Sequence, residues 1–124
     1  MARIALVGGA GYVGAAYTVA LAELGHDIVG LDLDLQKVDL LCRGCSPIYE
    51  SGLEELLRRG LRNGRLRFTT SYAEAIPDAD FVFICVGTPP DGTGRAETSY
   101  VVAATREIAR HSTGHTFRNT PPMA

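Results

Sequence analysis

The run Phe81-Val82-Phe83-Ile84-Cys85-Val86 carries no charged side chain and alternates nothing polar with its apolar residues. A strand with one wet face alternates; one that is apolar on both faces belongs to a parallel sheet covered by helices on each side. This run therefore constrains the fold more than any other segment, and the rest of the chain agrees with it. Arg3 to Val7 is a short apolar run ending in glycines, the pattern of a buried strand. Gly11 to Leu24 follows with small and apolar residues and stops at Gly25, a good helix terminator. Asp27 to Leu33 predicts a second buried strand. Leu35 to Cys42 has helical spacing, with Leu35, Val38 and Leu41 on one side.

Ser46 to Gly52 is rich in turn residues. Leu53 to Leu61 is amphipathic, with Leu53, Leu56, Leu57 and Leu61 on one face. Arg65 to Thr69 alternates as a strand. Ser71-Tyr72-Ala73-Glu74 has the form of a capping box opening a short helix that Pro77 and Asp78 end. Gly87 to Glu97 is a loop, and a last helix is expected over Ser99 to His111. The alternation predicts an α/β fold, a doubly wound Rossmann-type parallel sheet with right-handed crossovers and strand order 3-2-1-4-5.

Residues 112–124 do not continue this pattern. Their only large apolar side chains are Phe117 and Met123, too few for a fifth core strand. The expectation is a domain over 1–111, incomplete at its C-terminal end, and an atypical, disordered tail over 112–124. Phe81 to Val86 is then expected at an exposed edge, open to dimerisation or aggregation.

At 124 residues the chain suffices for one domain. Its formal net charge is −2, and its single lysine, Lys37, stands beside eleven scattered arginines, so nothing calls for a nucleic-acid partner. No apolar run approaches the ~20 residues of a membrane span. Met1-Ala2-Arg3 leads directly into the first strand with no secretory pattern, which predicts no membrane association and a cytoplasmic location. Cys42 and Cys45 form a lone CxxC. Zinc usually needs four ligands and no second pair follows, so no metal site is expected. Cys85, within the apolar run, is expected to be a small buried hydrophobe.

Gly9-Ala10-Gly11-Tyr12-Val13-Gly14 matches GxGxxG. Glycine triplets are common, but this one follows a strand and opens a helix, and Asp32 lies 18 residues beyond Gly14 at the end of the second strand. Each glycine answers a separate physical need. Gly9 permits the tight turn, Gly11 lets the backbone approach a pyrophosphate, and Gly14 lets the helix pack closely on the sheet. The helix N-terminus offers N–H groups and partial positive charge to phosphates. Asp32 can accept from ribose hydroxyls and would repel a 2′-phosphate, which favours NAD over NADP. The alternative is that the glycines only shape a turn and Asp32 caps the next helix. Asp34 is better placed as the N-cap of the helix from Leu35 than as a ligand contact.

With these marks the chain resembles the UDP-glucose/GDP-mannose dehydrogenases from Arg3 to His111. The resemblance rests on Gly9 to Gly14, Ala22-Glu23-Leu24-Gly25-His26, Gly30-Leu31-Asp32-Leu33-Asp34, Ser46-Pro47-Ile48-Tyr49-Glu50, Gly52-Leu53-Glu54-Glu55-Leu56, and Asp80 to Pro89 ending Cys85-Val86-Gly87-Thr88-Pro89. The Tyr49-Glu50 pair looks closer to the UDP-glucose branch, whereas Ser51 stands where the family usually has Pro.

The resemblance implies that Tyr12 and Val13 lie over the dinucleotide. It places Lys37 near the adenosine ribose and Thr88 near the nicotinamide. Core-facing Tyr12, solvated Lys37 and turn-starting Thr88 are the bland alternatives. The family oxidises a primary alcohol to an acid in two NAD-linked steps through a thiol adduct, and none of Cys42, Cys45 or Cys85 matches its nucleophile. A UDP-sugar is thus a partner only for a full-length enzyme, and this chain alone is expected to be inactive. The other readings are a stand-alone NAD or ADP-ribose binding module and a non-functional frameshifted product.

Overall fold

The computed structural model describes residues 2–46, 50–86, 92–94 and 98–112. The elements follow in the order β1 (Arg3–Val7), α1 (Tyr12–Glu23), β2 (Asp27–Leu31), α2 (Leu35–Cys42), α3 (Leu53–Arg62), β3 (Leu66–Thr69), α4 (Tyr72–Ala75), β4 (Phe81–Ile84) and α5 (Ser99–His111). The four strands form one sheet in the order β3-β2-β1-β4. Every pairing is parallel, with Arg3 opposite Asp27, Ile28 opposite Leu66 and Ile4 opposite Phe81.

The double-faced apolar pattern expresses itself as two core layers. Ile4 and Ile28 face one side with Leu66 and Phe68, where Val19 and Ala22 of α1, Val38 and Leu41 of α2, and Leu57 of α3 cover them. Ala5, Val7, Leu31, Val82 and Ile84 face the other side, against Ala75 of α4 and Ala104 and Ile108 of α5. Burying a Leu- or Ile-sized side chain contributes roughly 1.5–3 kcal/mol. Gly30 permits a close contact in the first layer: a Cβ there would lie 2.6 Å from the Phe68 ring.

The ends of the elements follow local chemistry. Gly25, at φ +101°, closes α1, and the His26 N–H reaches back to the Leu21 carbonyl at 3.2 Å. The left-handed residue and the six-to-one bond form a Schellman stop. Asp34 caps α2 by accepting from Lys37 N–H at 3.2 Å, as expected. Ser71 caps α4 through Glu74 N–H at 3.3 Å. The reciprocal half of the box differs, because Ser71 N–H donates to Thr69 Oγ1 at 3.0 Å while Glu74 accepts from that hydroxyl at 2.7 Å.

Three expectations are corrected. β2 ends at Leu31, and Leu33 is exposed, because the chain leaves the sheet at Asp32. Leu35 is exposed while Val38 and Leu41 are buried, since the first turn of α2 projects past the strand ends. Cys85 lies one residue beyond β4 and is only half-buried. Phe81 and Phe83 are incompletely covered, in keeping with the expected edge position of β4 among the described residues. The expected disordered tail lies, apart from Ser112, outside the described residues.

Candidate functional site

The carboxyl ends of β1, β2 and β4 open into a cleft of ≈ 420 Å³. Its walls are Val7, Gly8 and Gly11 from the first turn, Leu31, Asp32 and Leu33 from the end of β2, and Cys85 and Val86 after β4. Tyr72 of α4 and Tyr100, Ala103, Ala104 and Glu107 of α5 close its far side. Open α/β sheets bind ligands in this position, where successive crossovers diverge to opposite faces.

The glycine-rich turn builds the floor. Gly8 and Gly9 both donate to the Leu31 carbonyl, at 2.7 and 3.0 Å, and Gly11 N–H donates back to Gly8 O at 3.2 Å. The tight turn expected of Gly9 belongs to Gly8, whose φ is +88°. A side chain on Gly8 would also strike the Cys85 carbonyl at 2.6 Å. Gly9 instead allows close approach to β2, because a Cβ there would lie 2.8 Å from Gly30 Cα. Gly14 does what its position predicts: a Cβ would fall 2.0 Å from Gly8 O, so α1 can pack this close to the turn only without one. Gly8 lies outside the six-residue motif, and the Gly8-Gly9 doublet was the signal for it.

Gly11 differs from its neighbours. It sits at φ −73°, ψ 172°, a conformation open to any residue, and an added Cβ would meet only Gly8 O at 3.4 Å. Protein crowding does not require this glycine. Gly11 caps α1 without any side-chain hydrogen bond, and no acidic residue stands in the first turn. Among the described residues, the first-turn amides and the positive end of the helix dipole are thus open to an anion. Tyr12 is 68% exposed, which excludes a core role, and Val13 is half-buried beside it.

Asp32 joins the turn to β2. One carboxylate oxygen accepts from Ala10 N–H at 3.1 Å and the other from Asp34 N–H at 3.0 Å. It is therefore not the cap of α2, and each oxygen keeps a further lone pair for a hydroxyl donor. Lys37 lies exposed in the first turn of α2. Thr88 lies outside the described residues. Burial, then the carboxylates of Glu107 and Asp32, push the Tyr72 phenol above its ordinary value, so it stays a neutral donor. The part played by Tyr72 and Glu107 escaped sequence reasoning. The only trace was the spacing Tyr100, Ala103, Ala104, Glu107 along one helical face.

Burial pushes the Cys85 thiol up, and burial followed by Asp39 does the same to Cys42. Cys42 Sγ contacts Phe68 O at 3.7 Å. Among the described residues no group of three His, Cys, Asp or Glu could hold a metal, and no helix is long and apolar enough to cross a membrane.

Residues 2–117 match the model of the UDP-glucose/GDP-mannose dehydrogenase family, NAD binding domain. The chain belongs to that family. A UDP-glucose 6-dehydrogenase of Bacillus subtilis is 45% identical over 103 residues, covering 83% of this chain and 23% of its own length. A GDP-mannose 6-dehydrogenase of Pseudomonas syringae is 51% identical over 100 residues, covering 81% and 23%. The crystal structure of a Pseudomonas aeruginosa GDP-mannose dehydrogenase superposes with TM-score 0.91 at 40% identity, over 96% of this chain and 28% of that one. A UDP-glucose dehydrogenase from Pyrobaculum islandicum gives 0.87 at 36% identity, over 99% and 36%. This member of the dehydrogenase family thus spans about a quarter of the length of the curated relatives it matches. Its Rossmann-type domain is the NAD-binding one, and the open face at Gly11, the uncapped α1 and the spare acceptors of Asp32 fit that cofactor.

Proposed function

We propose that the chain holds NAD across the carboxyl ends of β1, β2 and β4 on behalf of a nucleotide-sugar dehydrogenase. The observation that carries this reading is Gly11, a glycine the protein's own packing does not demand, at the head of a helix with no side-chain cap. In this reading Gly9 and Gly14 let the turn pack against β2 and α1, Gly11 leaves room for the pyrophosphate, and the first-turn amides of α1 bind it. Tyr12 and Val13 cover it, and Asp32 accepts from the adenosine ribose. Lys37 approaches that ribose from α2, and Thr88 contacts the nicotinamide side. Bound NAD supplies the hydride acceptor for oxidation of the sugar alcohol.

The full-length enzyme oxidises UDP-glucose to the acid in this reading. A second reading, GDP-mannose, is favoured by the Pseudomonas syringae relative at 51% identity. The isolated 124-residue chain turns over neither substrate. The upward shifts of Cys42 and Cys85 keep both as thiols, whereas covalent catalysis needs a thiolate. Calorimetric titration with NAD tests the binding, and absorbance at 340 nm (roughly the NADH band) tests turnover. Saturable NAD binding without NADH formation from UDP-glucose is expected; absence of NAD binding overturns the cofactor site, and NADH formation overturns the inactivity.

The reading extends to self-association. β4 has no charge or proline to protect its outer edge, and Phe81 is 36% exposed. The isolated chain then dimerises or aggregates through this edge in the cytoplasm. Sedimentation that stays monomeric at high concentration, with protected β4 amides, would count against it.

A further inference from the structure

Asp32 is not the only carboxylate on the cleft. Glu107 of α5 lines the same wall, although it lies far along the chain and belongs to no motif. Its two oxygens are held in place: Arg110 Nη1 meets Oε1 at 2.7 Å, and His111 Nε2 stands 3.7 Å from Oε2. The His111 ring in turn stacks on Tyr72, with centroids 6.3 Å apart and planes 11° from parallel. Tyr72 is a cleft-lining residue of α4, so the carboxylate is anchored to two elements.

Asp32, Tyr72 and Glu107 line the same cleft, and the two carboxylates together raise the Tyr72 phenol. Under the proposed NAD site, the part of the cleft at Asp32 receives the adenosine ribose. A ribose bearing free hydroxyls would tolerate two acceptors there. A 2′-phosphate would bring about −1.5 to −2 charges into their joint field. Lys37, the nearest candidate counter-charge by sequence, is exposed on α2.

We infer that Glu107 is a second determinant of NAD over NADP, acting with Asp32 to repel a 2′-phosphate at the adenosine end of the cleft. This inference rests on the proposed cofactor site. It concerns the ratio of two affinities, not binding itself. Arg110 partly neutralises Glu107, so the geometry also fixes the sign of a second substitution.

The test is the dissociation constant of the intact chain for NAD and for NADP, measured calorimetrically at low ionic strength. Glu107→Gln should tighten NADP relative to NAD by roughly three- to tenfold, the scale of one unit charge acting across a solvated cleft. Glu107→Asp should keep most of the wild-type ratio. Arg110→Ala leaves the carboxylate less neutralised and should widen the ratio beyond wild type. A merely structural role for Glu107 would weaken both nucleotides in parallel and leave the ratio alone. Wild-type binding of NAD with an unchanged ratio in Glu107→Gln overturns this inference and leaves the cofactor site standing. Failure of the wild-type chain to bind either nucleotide overturns both.

Discussion

The two ends of β1 are built by different means. At the carboxyl end the contacts are made by backbone. Gly8 and Gly9 share the Leu31 carbonyl, Cys85 N–H meets Val7 O at 2.7 Å, and α1 seats itself where Gly14 has no Cβ. At the amino end side chains add to backbone pairs such as Asp27 N–H on Ala2 O at 3.0 Å and Asp80 N–H on Arg3 O at 2.7 Å. Arg3 N–H donates to Asp80 Oδ2 at 2.9 Å, Ala2 N–H donates to His26 Nδ1 at 3.1 Å, and Arg65 Nη1 reaches Gly25 O at 2.7 Å. A hollow of ≈ 280 Å³ lies at this end too, but Arg3, Asp27, Arg65, Arg67 and Asp78 line it. It has no uncapped helix start. The difference teaches where a ligand can be held: backbone amides in a rigid turn are preorganised donors, whereas exposed ion pairs satisfy each other.

The largest effect is expected at Gly14. A Val side chain would place Cβ 2.0 Å from Gly8 O, against backbone that cannot yield without moving α1 off the sheet. Gly14→Val should lose more than about 3 kcal/mol, read as a lowered denaturation midpoint or a chain that does not fold. A wild-type midpoint would break the view that this end is fixed by backbone packing.

Asp32→Ala comes next. It strips the acceptor from Ala10 N–H and Asp34 N–H and should cost about 1–3 kcal/mol of stability. NAD affinity should fall by roughly ten- to a hundredfold, since hydrogen bonds to charged groups are worth about 1.5–3 kcal/mol. Paired denaturation and calorimetry separate the two effects. Unchanged affinity in a folded variant would remove Asp32 from the ribose.

The smallest effect is expected at the amino end. Asp80→Ala removes the carboxylate bound to Arg3 N–H but leaves Asp80 N–H on Arg3 O at 2.7 Å. The loss should be about 1 kcal/mol or less in denaturant, because the exposed Arg3 amide can turn to water. NAD affinity should not change. A drop in affinity would show that the two ends are coupled through β1, and that would blur the contrast between them.

Much of this architecture was legible in the chain. The apolar run of β4 announced a sheet covered on both faces, and two core layers lie there. Asp34 and Ser71 were legible as caps because capping is settled within three residues. The candidate site was legible where it depends on the strand, turn and helix around Gly9 to Gly14 and on Asp32 at the end of β2. Leu35 misled, since periodicity shows that residues share a face but not how far along the helix that face meets the sheet.

The sequence by itself determined the alternation of strands and helices, the helix stops and the place of the glycine turn. These depend on φ preferences, missing Cβ atoms and side-chain periods that act over a few residues. Only the tertiary structure decided that Gly8, not Gly9, takes the left-handed turn, where the Cys85 carbonyl, just beyond β4, leaves no room for a side chain. Only packing brought Asp32 onto Ala10 N–H and set Glu107 on the same cleft through the stack of Tyr72 on His111. Those contacts join segments distant in the chain, and their geometry exists once both faces of the sheet are buried.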